Sequence, residues 1–409
     1  MLKPITRRHK RPIPGVALGL LLICLSLGCS ISTEDLDSWE KVSNGRAKLA
    51  GFMKDASRPM ELRVHSARTL MRMGAFREIM GVVQETDPQS KEELLRSLGA
   101  TVIQILTKDK WDDRAKMNAA GLAFYLFEHI DDLKGNSPTG PRDQQLVETV
   151  VGWSLEKLKL YDTLPDGPRS FKDIILAASI AMPELALPMV YGFMRSPPNL
   201  KRFLFVNQVL SAIKTIEVRQ EQARLLLAEA KRTHPKVDPE LAVEMMKNRN
   251  ETLLRFLLDC VRDDRVPPET RNMGMKAAQL LKERGLDVLF ALLKTDDPKN
   301  GNISRLNALR LIWDFGGAKQ LAAALRALPS MGTWFPDGTD FKDRIDEFCQ
   351  SRLAPAAAEV RETLGSLLSE DNWVTRVYAM ECIITLYPED ASSLLQPLAK
   401  DNTVLEGRI

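Results

Sequence analysis

Histidine, cysteine and aromatic residues are all scarce in this chain. It carries 4 His, 5 Cys and 6% Phe, Trp and Tyr over 409 residues. His65, His129 and His234 lie far apart in sequence, and neither HExxH nor CxxC spacing occurs, so no metal-ligand pattern is present. There is no GxxxxGK[ST], no GxGxxG after a strand and no GxSxG. Asp337-Gly338-Thr339-Asp340 lacks the order and the final Glu of a calcium loop and reads as a plain turn. The low aromatic content argues against a groove that stacks sugars. Sustained period-2 alternation of β-branched residues is also missing, which excludes a fold built on half-buried strands. No catalytic constellation, cofactor or metal is expected, and the chain reads as a non-enzyme.

Long apolar runs are nearly absent too. The exception is Gly15 to Gly28, 14 residues of almost wholly apolar sequence preceded by Lys3, Arg7, Arg8, Lys10 and Arg11 with no acid among them. A helix needs about 20 residues to cross a bilayer, so this run suits the core of an export signal rather than a span. It closes on Leu25-Ser26-Leu27-Gly28-Cys29. That ending resembles the lipobox of bacterial lipoproteins, with Gly28 at −1 and Cys29 at +1. It departs from the pattern at −3, where Ser26 stands and the aliphatic Leu25 lies one place earlier. The resemblance implies cleavage after Gly28, acylation of Cys29 and a lipid-anchored mature chain. Arg7-Arg8 is followed by His9 and Lys10, where a twin-arginine signal has apolar residues, so the general secretory route is expected. Ser30 after the cysteine implies sorting to the outer membrane, facing the periplasm. The expected organisation is a signal peptide over 1–28, a short lipidated linker over 29–35 and one helical array over 36–409.

Processing alters the charge balance. The full chain has 57 basic and 54 acidic residues. Removing 1–28 takes five basic residues and no acid, leaving 52 against 54, a net −2. The basic pI therefore belongs to the leader, and no nucleic-acid partner is expected. Cys24 goes with the leader and Cys29 takes the lipid, so Cys260, Cys349 and Cys382 remain. An odd number makes no complete disulfide framework, and each lies in an apolar helical pattern, where a buried free thiol is the expectation.

Amphipathic segments of 10 to 20 residues fill the chain. Breaks such as Thr86-Asp87-Pro88, Ser137 to Pro141, Pro165 to Pro168, Ser196 to Asn199 and Asp297-Pro298 divide them. Four segments superpose, starting at Arg63, Gly274, Arg305 and Arg376. Val64, Met275, Leu306 and Val377 share one column. Ala67, Ala278, Leu309 and Met380 lie three further on, and Leu70, Leu281, Ile312 and Ile383 three beyond that. That spacing puts them on one helical face. Small residues, Ser66, Ala277, Ala308 and Ala379, sit beside them. Gly74, Gly285 and Gly316 follow the last aliphatic by four and read as C-caps, with Tyr387-Pro388 in the fourth segment. A second helix is expected after each, over 76–83, 286–293, 319–328 and 391–398.

These hairpins resemble HEAT repeats, most clearly over 40–85 and 268–400. The fold class is therefore all-α, an α-solenoid of HEAT or armadillo type. The register between about 90 and 260 is unclear, and degenerate repeats or a different helical insert both fit. Trp39 and Phe52 are expected to close the first end. Asp112-Asp113, Asp131-Asp132 and Asp263-Asp264 read as helix ends. The series Arg63, Arg68, Arg72, Arg77 and the stretch Lys231 to Lys236 read as solvated faces, with a basic ridge for an acidic partner as the alternative.

The functional expectation is a membrane-anchored periplasmic scaffold for protein–protein interaction, held through the lipid on Cys29. Two other functions fit the same sequence: a helical-array lyase or hydrolase acting on envelope polymers, and a structural lipoprotein that contacts copies of itself. No partner-binding residue is legible.

Overall fold

The computed structural model describes residues 31–128, 141–160, 170–263, 265–294, 301–328, 341–396 and 398. Gly28 and Cys29 lie outside them, as do His129, Asp131-Asp132, Asp264, the 337–340 turn and the 401–409 tail. Every regular element among the described residues is helical, and no described helix is long and apolar enough to cross a membrane.

Two compact units are present, Met1–Phe193 and Met194–Ile409. The first holds α1 (Thr33–Ser38), a 3-10 turn (Trp39–Lys41), α2 (Gly45–Lys54), α3 (Met60–Arg72), α4 (Phe76–Glu85), α5 (Pro88–Thr107), α6 (Asp113–Glu128), α7 (Pro141–Leu160) and α8 (Phe171–Ala181). Helix α9 (Pro183–Arg195) follows. The second holds α10 (Leu200–Ala212), α11 (Ile216–Thr233), α12 (Pro239–Asn248), α13 (Glu251–Asp259), α14 (Pro268–Leu281), α15 (Leu286–Leu293), α16 (Gly301–Ala327), α17 (Phe341–Phe348), α18 (Ala357–Leu367), α19 (Trp373–Leu386) and α20 (Ala391–Leu394).

Packing follows chain order. In the first unit α1 packs on α3, α2 on α3 and α4, α5 on α6 and α7, and α6 on α8. In the second, α11 packs on α12 and α13, α13 on α14 and α15, α15 on α16, and α18 on α19. Helices that touch are close neighbours in sequence, which is the arrangement of a HEAT-like helical-repeat array. The described elements of the 90–260 stretch are helical as well. Its register was illegible because α6 buries alanines (Ala115, Ala119, Ala120, Ala123) where the clear repeats bury leucines.

Two of the breaks, Thr86-Asp87-Pro88 and Ser196 to Asn199, supply helix caps, while 137–140, 165–168 and 297–298 lie outside the described residues. Asp87 accepts from Ser90 N at 3.0 Å with Pro88 at the first helical position. Asn199, Thr215, Asp238, Asn250 and Asn372 cap α10, α11, α12, α13 and α19 in the same manner. Helix α1 opens with a full capping box between Ser32 and Asp35. Helix begins at Thr33, inside the 29–35 stretch expected as a linker, of which 29 and 30 lie outside the described residues.

The four superposed segments are α3, α14, the first half of α16, and α19. Ala67, Ala278, Leu309 and Met380 are buried, as are Leu70, Leu281, Ile312 and Ile383. The small residues Ser66, Ala277, Ala308 and Ala379 are fully enclosed. One more buried column precedes them: Arg63, Gly274, Arg305 and Arg376. Arg63 Nε donates to Met53 O at 2.7 Å, at the C-terminal end of α2. Arg376 Nη1 donates to Glu370 O at 3.0 Å, in the turn leaving α18. Carbonyls leaving a helix lack intrahelical donors and lie at its negative end, which favours a cation there. Gly274 replaces the arginine where α14 approaches α13 most closely. A Cβ there would stand 2.3 Å from Leu257 O.

The glycine caps differ in detail from the expectation. Gly74 takes the left-handed backbone at φ 68°. In the second segment the positive φ falls on Lys282 instead, at 53° with ψ −131°, and Gly285 serves close packing, since a Cβ would stand 3.2 Å from Leu281 Cβ. In the third it falls on Gly317 rather than Gly316 and divides α16 into two helices. Tyr387 closes α19, with its N–H on Ile383 O at 2.9 Å, and Pro388 blocks continuation. The helix expected over 391–398 is only Ala391–Leu394; a proline at 397 cannot donate to a further turn. Trp39 and Phe52 do meet, edge to face at 6.0 Å, but from the 3-10 turn and α2 rather than from one helix.

Charged side chains bridge successive helices. Lys54–Glu85, Arg284–Glu251 and Arg361–Asp390 pair at 2.7, 2.8 and 2.7 Å. The partners lie 29 to 33 residues apart, about one hairpin. Each is solvent-exposed, so water and salt screen it. They fix neighbouring hairpins in register more than they stabilise them.

Candidate binding cleft

The first unit contains a cleft of about 530 Å³ where the C-terminal end of α3 meets the N-terminal end of α6. Its lining comes from three places. Glu40 stands on the 3-10 turn, Arg72 and Met73 close α3, and Lys110, Trp111 and Asp112 form the turn into α6, whose Arg114, Ala115 and Asn118 complete the wall.

Each wall is fixed by its neighbours. Asp112 Oδ1 accepts from Ala115 N at 2.7 Å and so caps α6. Asn118, mostly buried, donates Nδ2 to Arg72 O at 3.2 Å and ties α6 to the end of α3. Arg46 Nη2 donates to Met73 O at 3.0 Å. The Arg72 guanidinium reaches Glu40 at 3.1 Å and Asp37 at 2.5 Å. Asp37 is also held by His65 Nε2 at 2.9 Å and by Thr69 Oγ1, which donates at 3.1 Å. Partial burial pushes the Asp37 carboxyl up, and the hydrogen bonds and charges of Arg72 and His65 outweigh it, so its pKa lies below the usual carboxylate range. This cluster clasps α1 onto α3.

What remains available in the cleft is cationic and aromatic. Lys110 and Arg114 are exposed and form no ion pair among the described residues. Lys110 Nζ lies 5.3 Å from the centre of the Trp111 ring. The Trp111 indole N–H is shielded from solvent and meets no acceptor. Two exposed cations that form no ion pair among the described residues, one of them over an aromatic ring, can bind a carboxylate-bearing segment.

The residues singled out in the sequence are placed as follows. His65 serves the clasp, while His234, in the second unit, lies 3.6 Å from Asp263 and edge-on to Phe256. The series Arg63, Arg68, Arg72 and Arg77, the first three on α3 and the last on α4, is not one solvated ridge. Arg63 is buried, Arg72 is committed to acids and only Arg77 is well exposed. The buried Nε of Arg68 has no partner. Arg232 is likewise committed, forming a two-point pair with the buried Glu229 at 2.8 and 2.6 Å. Asp112 marks a helix end as expected, and Asp113 pairs with Lys157 at 2.6 Å. The cleft itself was not read from the sequence. Its signal is a tryptophan set between Lys110 and Asp112 in a helix-to-helix turn, which resembles any other polar break until α3 is packed behind it.

No family model matches this chain, and no curated protein matches it. Among solved structures, it overlaps the karyopherin Kap121p bound to the extreme C-terminus of the protein phosphatase Cdc14p. The identity is 13% and the TM-score 0.39, over 95% of this chain and 47% of that one. A mutant of the same karyopherin overlaps at 10% identity and a TM-score of 0.18, over 97% of this chain and 40% of that one. The chain thus spans less than half the length of the karyopherins it matches. Overlaps of this quality carry no argument about partners, and the fold assignment stands on the chain's own helices and their packing.

Proposed function

We propose that this chain is a lipid-anchored, non-catalytic helical-repeat scaffold that binds an acidic protein segment at the periplasmic face of the outer membrane. The observation that carries the binding role is the cleft between α3 and α6, where exposed Lys110 and Arg114 form no ion pair among the described residues and the Trp111 indole N–H meets no acceptor among them. A helical-repeat array suits the role, because it presents extended surface without special residues. The location rests on the N-terminal sequence alone: five basic residues, a 14-residue apolar run and Cys29 after Gly28.

The test joins the two. Full-length chain is crosslinked in cells and captured, alongside Cys29→Ala and the double variant Lys110→Glu/Arg114→Glu. Cys29→Ala moves the protein from the membrane fraction to the soluble periplasm. The charge reversal leaves it on the membrane and weakens capture of the partner on the order of tenfold. An unchanged membrane fraction for Cys29→Ala removes the lipid anchor. Undiminished capture by the double variant removes the cleft from the binding surface. Crosslinks only between copies of the chain make it a self-associating structural lipoprotein.

A further inference from the structure

The three cysteines of the described chain are all buried, but they are not equivalent. Cys260 stands at the end of α13 next to Asp259. Cys349 and Cys382 stand together, with their Sγ atoms 2.6 Å apart. That separation is well inside the non-bonded contact of two sulfurs and about half an ångström beyond the covalent S–S bond of about 2.05 Å. Both residues are wholly enclosed. Cys349 opens the π-helical turn that follows α17, and Cys382 lies in the third turn of α19; α17 and the π-turn both pack directly on α19. All three stand as free, buried thiols, as the sequence led one to expect, and the sequence did not foretell the close approach of this pair.

We infer that Cys349 and Cys382 are a disulfide in the exported protein, a covalent staple between the α17 turn and α19. The inference rests on the export reading for its oxidising surroundings. In the reaction a disulfide of a thiol oxidoreductase, or a small-molecule disulfide, accepts two electrons. One cysteine thiolate attacks a donor sulfur, forms a mixed disulfide and expels one donor thiol. The second cysteine then attacks the mixed disulfide and expels the other. The two protons of the cysteines end on the two donor thiols.

The timing follows from the site. Thiolate is the attacking form, and once the segment has folded the neighbouring thiol and burial push the Cys349 thiol far up. No donor reaches an enclosed sulfur. The bond therefore closes before α17 and α19 finish docking, and afterwards resists small reductants. Its span of 33 residues takes in the π-turn, α18 and α19 as far as Cys382, so the staple holds them in one covalent loop.

Two arms keep the pairing and the export distinguishable. In the first, the full chain is expressed with its own leader, quenched with N-ethylmaleimide, denatured without reductant and mapped by peptide mass. In the second, the purified full chain is reduced, unfolded and refolded in mixed oxidised and reduced glutathione, then mapped in the same way. The expected result is one crosslinked peptide joining Cys349 to Cys382 in both arms, two hydrogens lighter than the reduced peptides, with Cys260 alkylated. Full alkylation of Cys349 and Cys382 in the glutathione arm, or a bond through Cys260, overturns the pairing. A bond in glutathione with full alkylation in the cell-derived sample overturns export to an oxidising compartment and with it the staple in cells. Cys260→Ser leaves the crosslinked peptide unchanged, and Cys349→Ser abolishes it.

Discussion

At the scale of single residues, charge type and charge environment part company. Arg63 and Arg376 carry the same sequence signature as a solvated basic face, yet both are buried against carbonyls at the exit of the preceding helix. Sequence periodicity places them one residue before the apolar column, about 100° round the helix from it. Which neighbour waits there depends on packing, so burial was not legible. Asp263 gives a testable case. Its carboxyl is held near 2, chiefly by hydrogen bonds from the Arg265 side chain, against some desolvation, with help from the Arg265 N–H and from the charges of Arg265 and His234. A folded-state pKa below the unfolded value of about 3.9 stabilises the protein above that value and loses the contribution as pH falls towards 2. Asp263→Asn is therefore expected to flatten acid destabilisation between about pH 4 and 2, checked by urea midpoints across that range.

At the scale of the element, helix positions and starts were legible, and helix ends only partly. Leu286–Leu293 was read to the residue, and Asp87-Pro88 announced α5 by its cap and its first-turn proline. Starts carry chemistry in the sequence, because a side-chain oxygen must meet a particular N–H. Ends depend on which residue tolerates a positive φ, and here Lys282 and Gly317 took it from the glycines that spacing selected. Gly274 shows the other use of glycine. It lies in the arginine column, yet α14 can touch α13 only because it has no side chain. Gly274→Ala sets a methyl against Leu257 O and Val261 Cγ2, which are backbone and packed side chain rather than a flexible tip. The expected loss is about 1–3 kcal/mol, read as a lower denaturation midpoint with helix content retained.

At the scale of the whole molecule, the all-α repeat class was written in the columns of α3, α14, α16 and α19. The division into two compact units was not, because the boundary falls between Phe193 and Met194, inside α9, where the sequence carries no break. The cleft was hidden as well. Its walls come from residues 40, 72–73 and 110–118, which meet only after two hairpins have stacked. The capping box at Ser32 adds a dimension to the anchor: if the lipid sits on Cys29, only Ser30, Ile31 and Ser32 separate it from α1, a tether of about 10 Å when extended.

That short tether and the chain-ordered packing together describe a mechanical element. If Cys29 carries the lipid, tension on a bound partner is returned to the membrane through α1, which is fastened to α3 by the contacts of Asp37 with Arg72, His65 and Thr69 and by the buried Leu36. Helices that hold only their near neighbours peel rather than shear, so the first unit should yield in a series of small extensions beginning at the anchored end. Single-molecule pulling from residue 29 is expected to show that staircase, and Asp37→Ala to erase its lowest step while leaving the later ones in place.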